Sequence, residues 1–176
     1  AVPGRMERVT FDLSGVQADV ASPLVVVDYA HTPDAITQAL AALRSQATLR
    51  GGRLWCVLGC GGDRDASKRP LMAAAAEQYA DTVVLTSDNP RSEDPLAILS
   101  QMQAGLAQPG AAHTEPDRAA AIACAVQAAM PHDVVLIAGK GHEDYQEIKG
   151  VKTPYSDLAN AQTALQQRST AKGANV

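Results

Sequence analysis

Leu24-Val25-Val26-Val27-Asp28-Tyr29-Ala30-His31-Thr32-Pro33-Asp34 holds the fold in outline. The apolar, β-branched run from Leu24 reads as a strand buried on both faces. Thr32 suits a helix N-cap, Pro33 the first helical position and Asp34 the positive end of the helix. Ile36, Leu40, Leu43 and Ala47 then recur on one helical face. A buried strand that passes through a short loop into a helix is half of a β-α-β unit.

The same unit repeats along the chain. Residues 53–58 read as a strand, followed by the turn Gly59-Cys60-Gly61-Gly62-Asp63 and a helix from near Pro70 to Tyr79. Residues 82–86 form the next strand. Asp94-Pro95 opens a helix whose stripe is Leu96, Leu99, Met102 and Leu106. A short strand over 112–114 precedes a helix capped by Asp117 and reaching about Met130. Residues 133–138 are the most strand-like run. Beyond Gly139 the spacing predicts a small hairpin around Lys149-Gly150 and a last helix from Ser156 and Asp157 through Leu165. Nearly all-apolar strands alternating with helices imply a parallel sheet covered on both faces. With right-handed crossovers this is a Rossmann-like, doubly wound α/β domain. The expected division is an interdomain lead-in over 1–20, the domain over 21–168 and a flexible tail over 169–176.

Composition narrows the class of protein. The 176 residues suit one domain, and 46% hydrophobic with 19% charged residues excludes a disordered chain. Aromatics make up only 3%, so the core must be built from Ala, Val, Leu and Ile. A net charge of -4 argues against a nucleic-acid surface. No apolar run is long enough to cross a membrane, and no signal peptide opens the chain. Cys56, Cys60 and Cys124 make no zinc pattern, and reduced thiols in a cytoplasmic protein are expected. The chain lacks an initiator Met, which fits removal by processing and a piece of a longer polypeptide equally well.

In doubly wound sheets ligands sit beyond the carboxyl ends of the strands. Four loops fall there. Gly59-Cys60-Gly61-Gly62-Asp63-Arg64-Asp65 is glycine-rich, but no Gly-Lys-Ser/Thr follows, so it is not a Walker A loop. Arg64, Lys68 and Arg69 would attract a phosphate and Asp63 and Asp65 repel one; a tight turn with surface charges is the other reading. Asp88-Asn89-Pro90-Arg91 sets an acid, an amide and a guanidinium around a rigid Pro90. These groups suit a zwitterionic amino acid, or else a polar turn closed by its own Asp–Arg pair. Gly139-Lys140-Gly141-His142-Glu143 offers backbone access and a second acid, Glu143, for an ammonium. His142 has no partner for metal or base work and reads as a packing or solvent-exposed histidine. Asp28 is placed to meet a ribose hydroxyl or a metal-bound phosphate, and His31 reads as a helix-start residue. No Ser/His/Asp or Cys/His set assembles, so the chain carries binding chemistry without evident catalytic residues or a metal site of its own.

These four loops, with Asp28-Tyr29-Ala30-His31-Thr32-Pro33-Asp34 as the first, occur in one order at one spacing. Together they resemble the C-terminal domain of the Mur ligase family, in its diaminopimelate-adding branch, from Gly4-Arg5-Met6-Glu7 to Leu165. The resemblance implies a three-domain, ATP-dependent, amide-forming ligase of cytoplasmic peptidoglycan synthesis and cell-wall biogenesis. In it ATP phosphorylates the D-glutamate carboxylate of UDP-MurNAc-L-Ala-D-Glu, and an amine of meso-diaminopimelate attacks the acyl phosphate. ATP and Mg2+ would be bound mainly by a central P-loop domain that this chain lacks. The chain itself would be an inactive fragment that joins N-terminal and central domains in a monomer.

Carried over by motif, Arg64, Asp88, Asn89, Pro90, Arg91, Gly139 and Glu143 would bind meso-diaminopimelate, and Arg5 and Asp28 would face ATP. Arg64 and Arg91 would hold the carboxylate of the distal stereocentre. Asp88, the Gly139 backbone and Glu143 would hold its ammonium, with Asn89 bridging. The alternatives are a non-catalytic amino-acid or nucleotide module, or a lysine-adding or folylpolyglutamate-type relative.

Overall fold

The computed structural model describes residues 2–10 and 22–173. Its centre is a six-stranded sheet in the order β1-β2-β6-β3-β4-β5. These strands are β1 (Glu7–Arg8), β2 (Leu24–Asp28), β3 (Leu54–Cys60), β4 (Thr82–Ser87), β5 (His113–Thr114) and β6 (Val134–Ala138). Every pairing from β2 outward is parallel; β1 alone runs antiparallel, along the β2 edge.

Five helices cover the sheet: α1 (Pro33–Arg50), α2 (Lys68–Tyr79), α3 (Pro95–Gln103), α4 (Arg118–Ala128) and α5 (Asp157–Gly173). The two-residue period of the strands divides the core. Val26, Leu54, Cys56, Leu58, Val83, Leu85, Val134 and Leu136 pack against α1, α2 and α3 on one face. Val25, Val27, Val57, Val84, Val135 and Ile137 pack against α4 and α5 on the other. The fold is therefore the doubly wound α/β sheet expected from the alternating pattern. A hairpin, β7 (Tyr145–Ile148) and β8 (Val151–Pro154), stands apart from the sheet.

Local signals explain most helix ends. The Thr32 hydroxyl accepts from the Ala35 amide, with Pro33 at the first position, and Gly51 closes α1 in the left-handed region at φ 69°. Asp94 and Asp117 cap α3 and α4 through their side chains. Helix α2 begins at Lys68, near Pro70 as expected, and ends at Tyr79. Elsewhere the structure departs from the periodic reading. Leu96 is 61% exposed, so the buried stripe of α3 is Ile98, Leu99 and Met102. Asp157 is buried against Arg118, while the Ser156 hydroxyl accepts from the Ala159 amide. Helix α5 continues past Leu165 to Gly173, so Ser169 and Thr170 of the expected tail are helical; 174–176 lie outside the described residues. Of the expected lead-in, residues 7–8 are β1 and 11–20 lie outside the described residues.

One contact ties the two halves of this framework. Arg118 and Asp157 are both fully buried and meet through two hydrogen bonds, Nε to Oδ1 at 2.8 Å and Nη2 to Oδ2 at 2.7 Å. The same guanidinium donates to the Ser87 carbonyl at 3.2 Å and the Ala138 carbonyl at 2.9 Å, the last residues of β4 and β6. Removing the cation strands a buried carboxylate and two carbonyls. Arg118→Met should lower stability by about 3–5 kcal/mol, the usual cost of breaking a buried pair. Urea unfolding of the two forms measures it, and a loss below about 1 kcal/mol, the scale of a surface pair, would refute the anchoring role.

Candidate functional site

The strands β2, β3, β4 and β6 end along one edge of the sheet, and a cavity of about 390 Å³ opens there. Its lining takes in Arg64, Asp88, Asn89, Arg91, Gly139 and Glu143, with Tyr29, His31 and Lys68 at its margin. Six of the seven residues expected to hold the amino acid are thus brought together. Pro90, the seventh, is buried behind them, its carbonyl against Gly62.

Close approach of the loops makes this convergence possible. A Cβ on Gly62 would fall 1.8 Å from the Pro90 carbonyl oxygen, and one on Gly61 would lie 2.9 Å from Arg91 Nη1 and 3.6 Å from the Arg64 Cγ. Gly139, at φ 118°, lets the Asp88 carboxylate come within 2.7 Å of where its Cβ would be. The Gly62 amide donates to the Asn89 carbonyl at 2.8 Å, which stitches the turns after β3 and β4.

Arg91 is held on all sides. Its backbone lies in the left-handed region at φ 52°, its amide donates to the Glu147 carbonyl and its carbonyl accepts from Lys149. Its Nη1 donates to the Gly62 carbonyl at 2.7 Å, and its side chain keeps 20% exposure. Arg64 is exposed at the rim. The Arg91 Nε lies 4.0 Å from the Glu147 carboxylate, and two further acids, Asp88 and Glu143, line the same cavity. Asp88 is pushed up from the usual carboxylate range, chiefly by burial, with Arg118 and Lys140 opposing and Glu143 and Asp157 reinforcing. Asn89 is 1% exposed; its Oδ1 accepts from Lys140 and from the Glu147 amide, and its Nδ2 donates to Glu143 at 2.9 Å. An amide has two acceptor and two donor sites, so one N–H is left for a ligand.

Arg5 and Asp28 do not line this cavity. Both Asp28 oxygens accept backbone amides, from Met6 at 2.7 Å and Ala30 at 2.8 Å, so the carboxylate anchors the turn that carries Arg5. Arg5 is exposed and lies 5.3 Å from the centre of the Tyr29 ring. His31 is exposed at the start of α1, bonded through Nδ1 to the Tyr29 carbonyl oxygen at 2.7 Å. Among the described residues no group of three or more His, Cys, Asp and Glu side chains is placed to hold a metal ion. Cys56 and Cys60 are buried free thiols, each pushed up to about 12 by burial and therefore protonated.

Arg69 departs from expectation. It is 2% exposed and cannot serve a phosphate: its guanidinium is engaged by both Glu93 oxygens, by Gln101 and by the Gly61 carbonyl. Glu93 also accepts from the Asp63 amide, and Asp63 in turn accepts from Ser92. Sequence reading missed this brace and missed Lys140 and Arg118 as well. A signal existed for the arginines: both lie in the first turn of a helix, where a cation is unfavourable unless an acid pairs with it.

A doubly wound α/β sheet with a cavity lined by cations and carboxylates at its carboxyl edge has the cavity where domains of this class take ligands. The family described as Mur ligase, glutamate ligase domain, matches residues 4–141, and the chain belongs to that family. It is 58% identical over 167 residues to the UDP-N-acetylmuramoyl-L-alanyl-D-glutamate–2,6-diaminopimelate ligase of Acidovorax sp. (strain JS42), covering 95% of this chain and 32% of that one. A solved structure of a ligase of the same description matches with TM-score 0.83 and 44% identity, over 96% of this chain and 32% of its own. A folylpolyglutamate synthase of Mycobacterium tuberculosis, solved with ADP and AMPPCP, matches at TM-score 0.53 and 26% identity, over 79% of this chain and 30% of its own. The chain spans about a third of the length of the curated relatives it matches.

The Glu93 brace has a pH signature. Its hydrogen bond to Arg69, aided by the Asp63 amide, holds the carboxyl down at about 2 from an ordinary 4.5. A folded-state value below the unfolded one adds stability at higher pH that disappears as pH falls through this window. The melting-temperature gap between the native protein and Glu93→Gln should be constant above about pH 5 and shrink from pH 4.5 towards pH 2. A gap unchanged at pH 3 would mean that Glu93 is not bound as described.

Proposed function

We propose that this chain is the amino-acid-binding part of an ATP-dependent ligase that joins meso-diaminopimelate to UDP-MurNAc-L-Ala-D-Glu in the cytoplasmic stage of peptidoglycan synthesis. The observation that carries this reading is the pairing of Arg64 and Arg91 with Asp88 and Glu143 around one cavity. Two guanidiniums opposite two carboxylates match a substrate end that carries both a carboxylate and an ammonium. The likeness to diaminopimelate ligases along nearly the whole chain supports the same substrate.

In this reading Arg91 and Arg64 take the distal carboxylate. Asp88, Glu143 and the Gly139 backbone take the ammonium beside it, and the free Asn89 N–H lies between. Pro90 keeps the turn rigid. Lysine has the amine and lacks this carboxylate, so it would leave Arg91 with only the Gly62 carbonyl at 2.7 Å and the Glu147 carboxylate at 4.0 Å, and its ligand-facing donors without a carboxylate. A site built to hold a polar group rejects the analogue without it by about 10⁴-fold or more. Binding through both ends orients the attacking amine, which must be neutral, towards the acyl phosphate.

Arg5 is the cation offered to the nucleotide, on a turn that Asp28 holds in place. ATP and Mg2+ lie mainly on the rest of the enzyme, because these residues include no Walker A loop. The enzyme acts as a monomer. Among the described residues no helix is long and apolar enough to cross a membrane.

Steady-state ligation by the full-length enzyme tests this. Arg91→Ala should cut kcat/KM for meso-diaminopimelate by at least about 100-fold, since a charge-assisted bidentate contact is worth about 3–6 kcal/mol. The KM for ATP should change less than about twofold, because uniform binding of the nucleotide is untouched. Lysine and glutamate should fail to compete. Unaltered diaminopimelate kinetics in the variant, or ligation of lysine at a comparable rate, would sink the proposal and favour a lysine-adding or folylpolyglutamate-type relative.

A further inference from the structure

We infer that Lys140 is a positioning residue: it holds Asn89 and Glu143 in place and fixes the charge of the acidic side of the cavity at the value that takes one ammonium. This rests on the amino-acid-binding role of the cavity and assigns a part to a side chain that never reaches the ligand.

Lys140 is fully buried. Its Nζ donates to Asn89 Oδ1 at 2.8 Å, to the Tyr145 carbonyl at 2.8 Å and to Glu143 Oε2 at 3.2 Å. An ammonium has three donors, so none is left for a substrate. Asp88 Oδ1 lies 3.8 Å away, and the rings of Tyr145 and Tyr155 stand 5.6 and 5.9 Å from the nitrogen. One cation thereby joins the turn after β4, the loop after β6 and the hairpin strand β7. A buried ammonium survives only where charge and hydrogen bonds compensate it; here the charge comes from Asp88 and Glu143, and the hydrogen bonds from Glu143, Asn89 and the Tyr145 carbonyl.

The charge count gives the role its content. With both carboxylates ionised, Asp88 and Glu143 contribute two negative charges; burial of Asp88 opposes this state and the Lys140 ammonium, 3.8 Å from Asp88 and 3.2 Å from Glu143, favours it with one positive charge. Arg118 and Asp157 also face Asp88, from α4 and α5, and cancel each other in their own pair. The protonated Cys60 thiol beside Asp88 adds no charge. The net of one negative charge matches one incoming ammonium. Without Lys140 two carboxylates would share a mostly buried space, and one would take a proton instead of a ligand. Both Lys140 and Asn89 contact Oε2 of Glu143, which fixes that carboxylate in one orientation.

The test is the pH dependence of KM for meso-diaminopimelate in the full-length enzyme, for wild type, Lys140→Met, Lys140→Arg and Glu143→Gln. Loss of the cation should raise KM at least tenfold and move the acid limb of 1/KM up by about one pH unit or more. Glu143→Gln also raises KM, and it should move the limb the opposite way, because it removes a like charge from beside Asp88. Lys140→Arg should keep the wild-type limb, and KM for ATP should stay within about twofold throughout.

A purely structural role would raise KM without moving the limb in opposite directions. Limbs that ignore the two charge changes, or that move together, overturn the inference while leaving the substrate reading intact. If Lys140→Met gives no cooperative melt, the downward shift in Glu143→Gln decides, and its absence overturns the inference. A wild type that does not use diaminopimelate overturns the functional reading and this inference with it.

Discussion

The guanidinium of Arg118 has no exposed surface, yet it connects four elements. Ser87 and Ala138, whose carbonyls it binds, end β4 and β6, and β3 lies between those strands in the sheet. The contact therefore spans a strand and sets the distance between two ends that do not pair with each other. Asp157, at the start of α5, supplies the compensating charge. Asp88 and Gly139 are the next residues along the two strands, so the position of both binding loops is inherited from one buried ion pair. A carbonyl at the end of a parallel strand has no ladder partner beyond it. A buried cation that satisfies two such carbonyls removes the penalty of leaving them dry.

From that anchor the loops are held by one another more than by the sheet. The Gly62–Pro90 and Gly139–Asp88 approaches allow no Cβ, and the Asp63–Ser92 and Arg69–Glu93 contacts repeat the connection a few residues away. The arrangement has a cost, since left-handed backbone at Asp63 and Arg91 is unfavourable for residues with side chains. The hydrogen bonds on either side of Arg91 offset it. The result is a cavity in which Arg91, Asn89 and Glu143 are held by protein contacts, while Arg64 stays exposed at the rim.

The strands, the helix order and the doubly wound class were legible because two-residue and 3.6-residue periods are written directly in apolar positions. The residues that gather around the cavity were legible too, because polar groups beside glycine and proline at strand ends stand out from the apolar pattern. The supporting layer was not. Lys140 reads as an ordinary charged residue until its burial is known, and Arg69 reads as a phosphate contact until Glu93 is seen folded back on it from 24 residues away. Pairing across loops depends on tertiary distance, on which a one-dimensional spacing is silent. The error at Leu96 has the same origin. It lies three residues from Leu99 and shares its helical spacing, but it stands in the first turn of a nine-residue helix and is exposed, while Ile98, Leu99 and Met102 are buried.

The two arginines of the cavity do different work, and their exposure says which. Arg91 has already lost its rotamer freedom on folding: its backbone is pinned on both sides, and one arm rests on the Gly62 carbonyl. A ligand carboxylate that meets it incurs little further ordering cost. Arg64 is exposed and must be ordered when a ligand binds, at about 0.5–1.5 kcal/mol for such a side chain. Discrimination depends on a group that cannot relax when the wrong ligand enters. A mobile cation left without a carboxylate simply returns to water, whereas a fixed, half-buried one stays unpaired. On the proposed function, selection for a carboxylate at the far end of the amino acid would therefore reside in Arg91, and Arg64 would add affinity once that choice has been made.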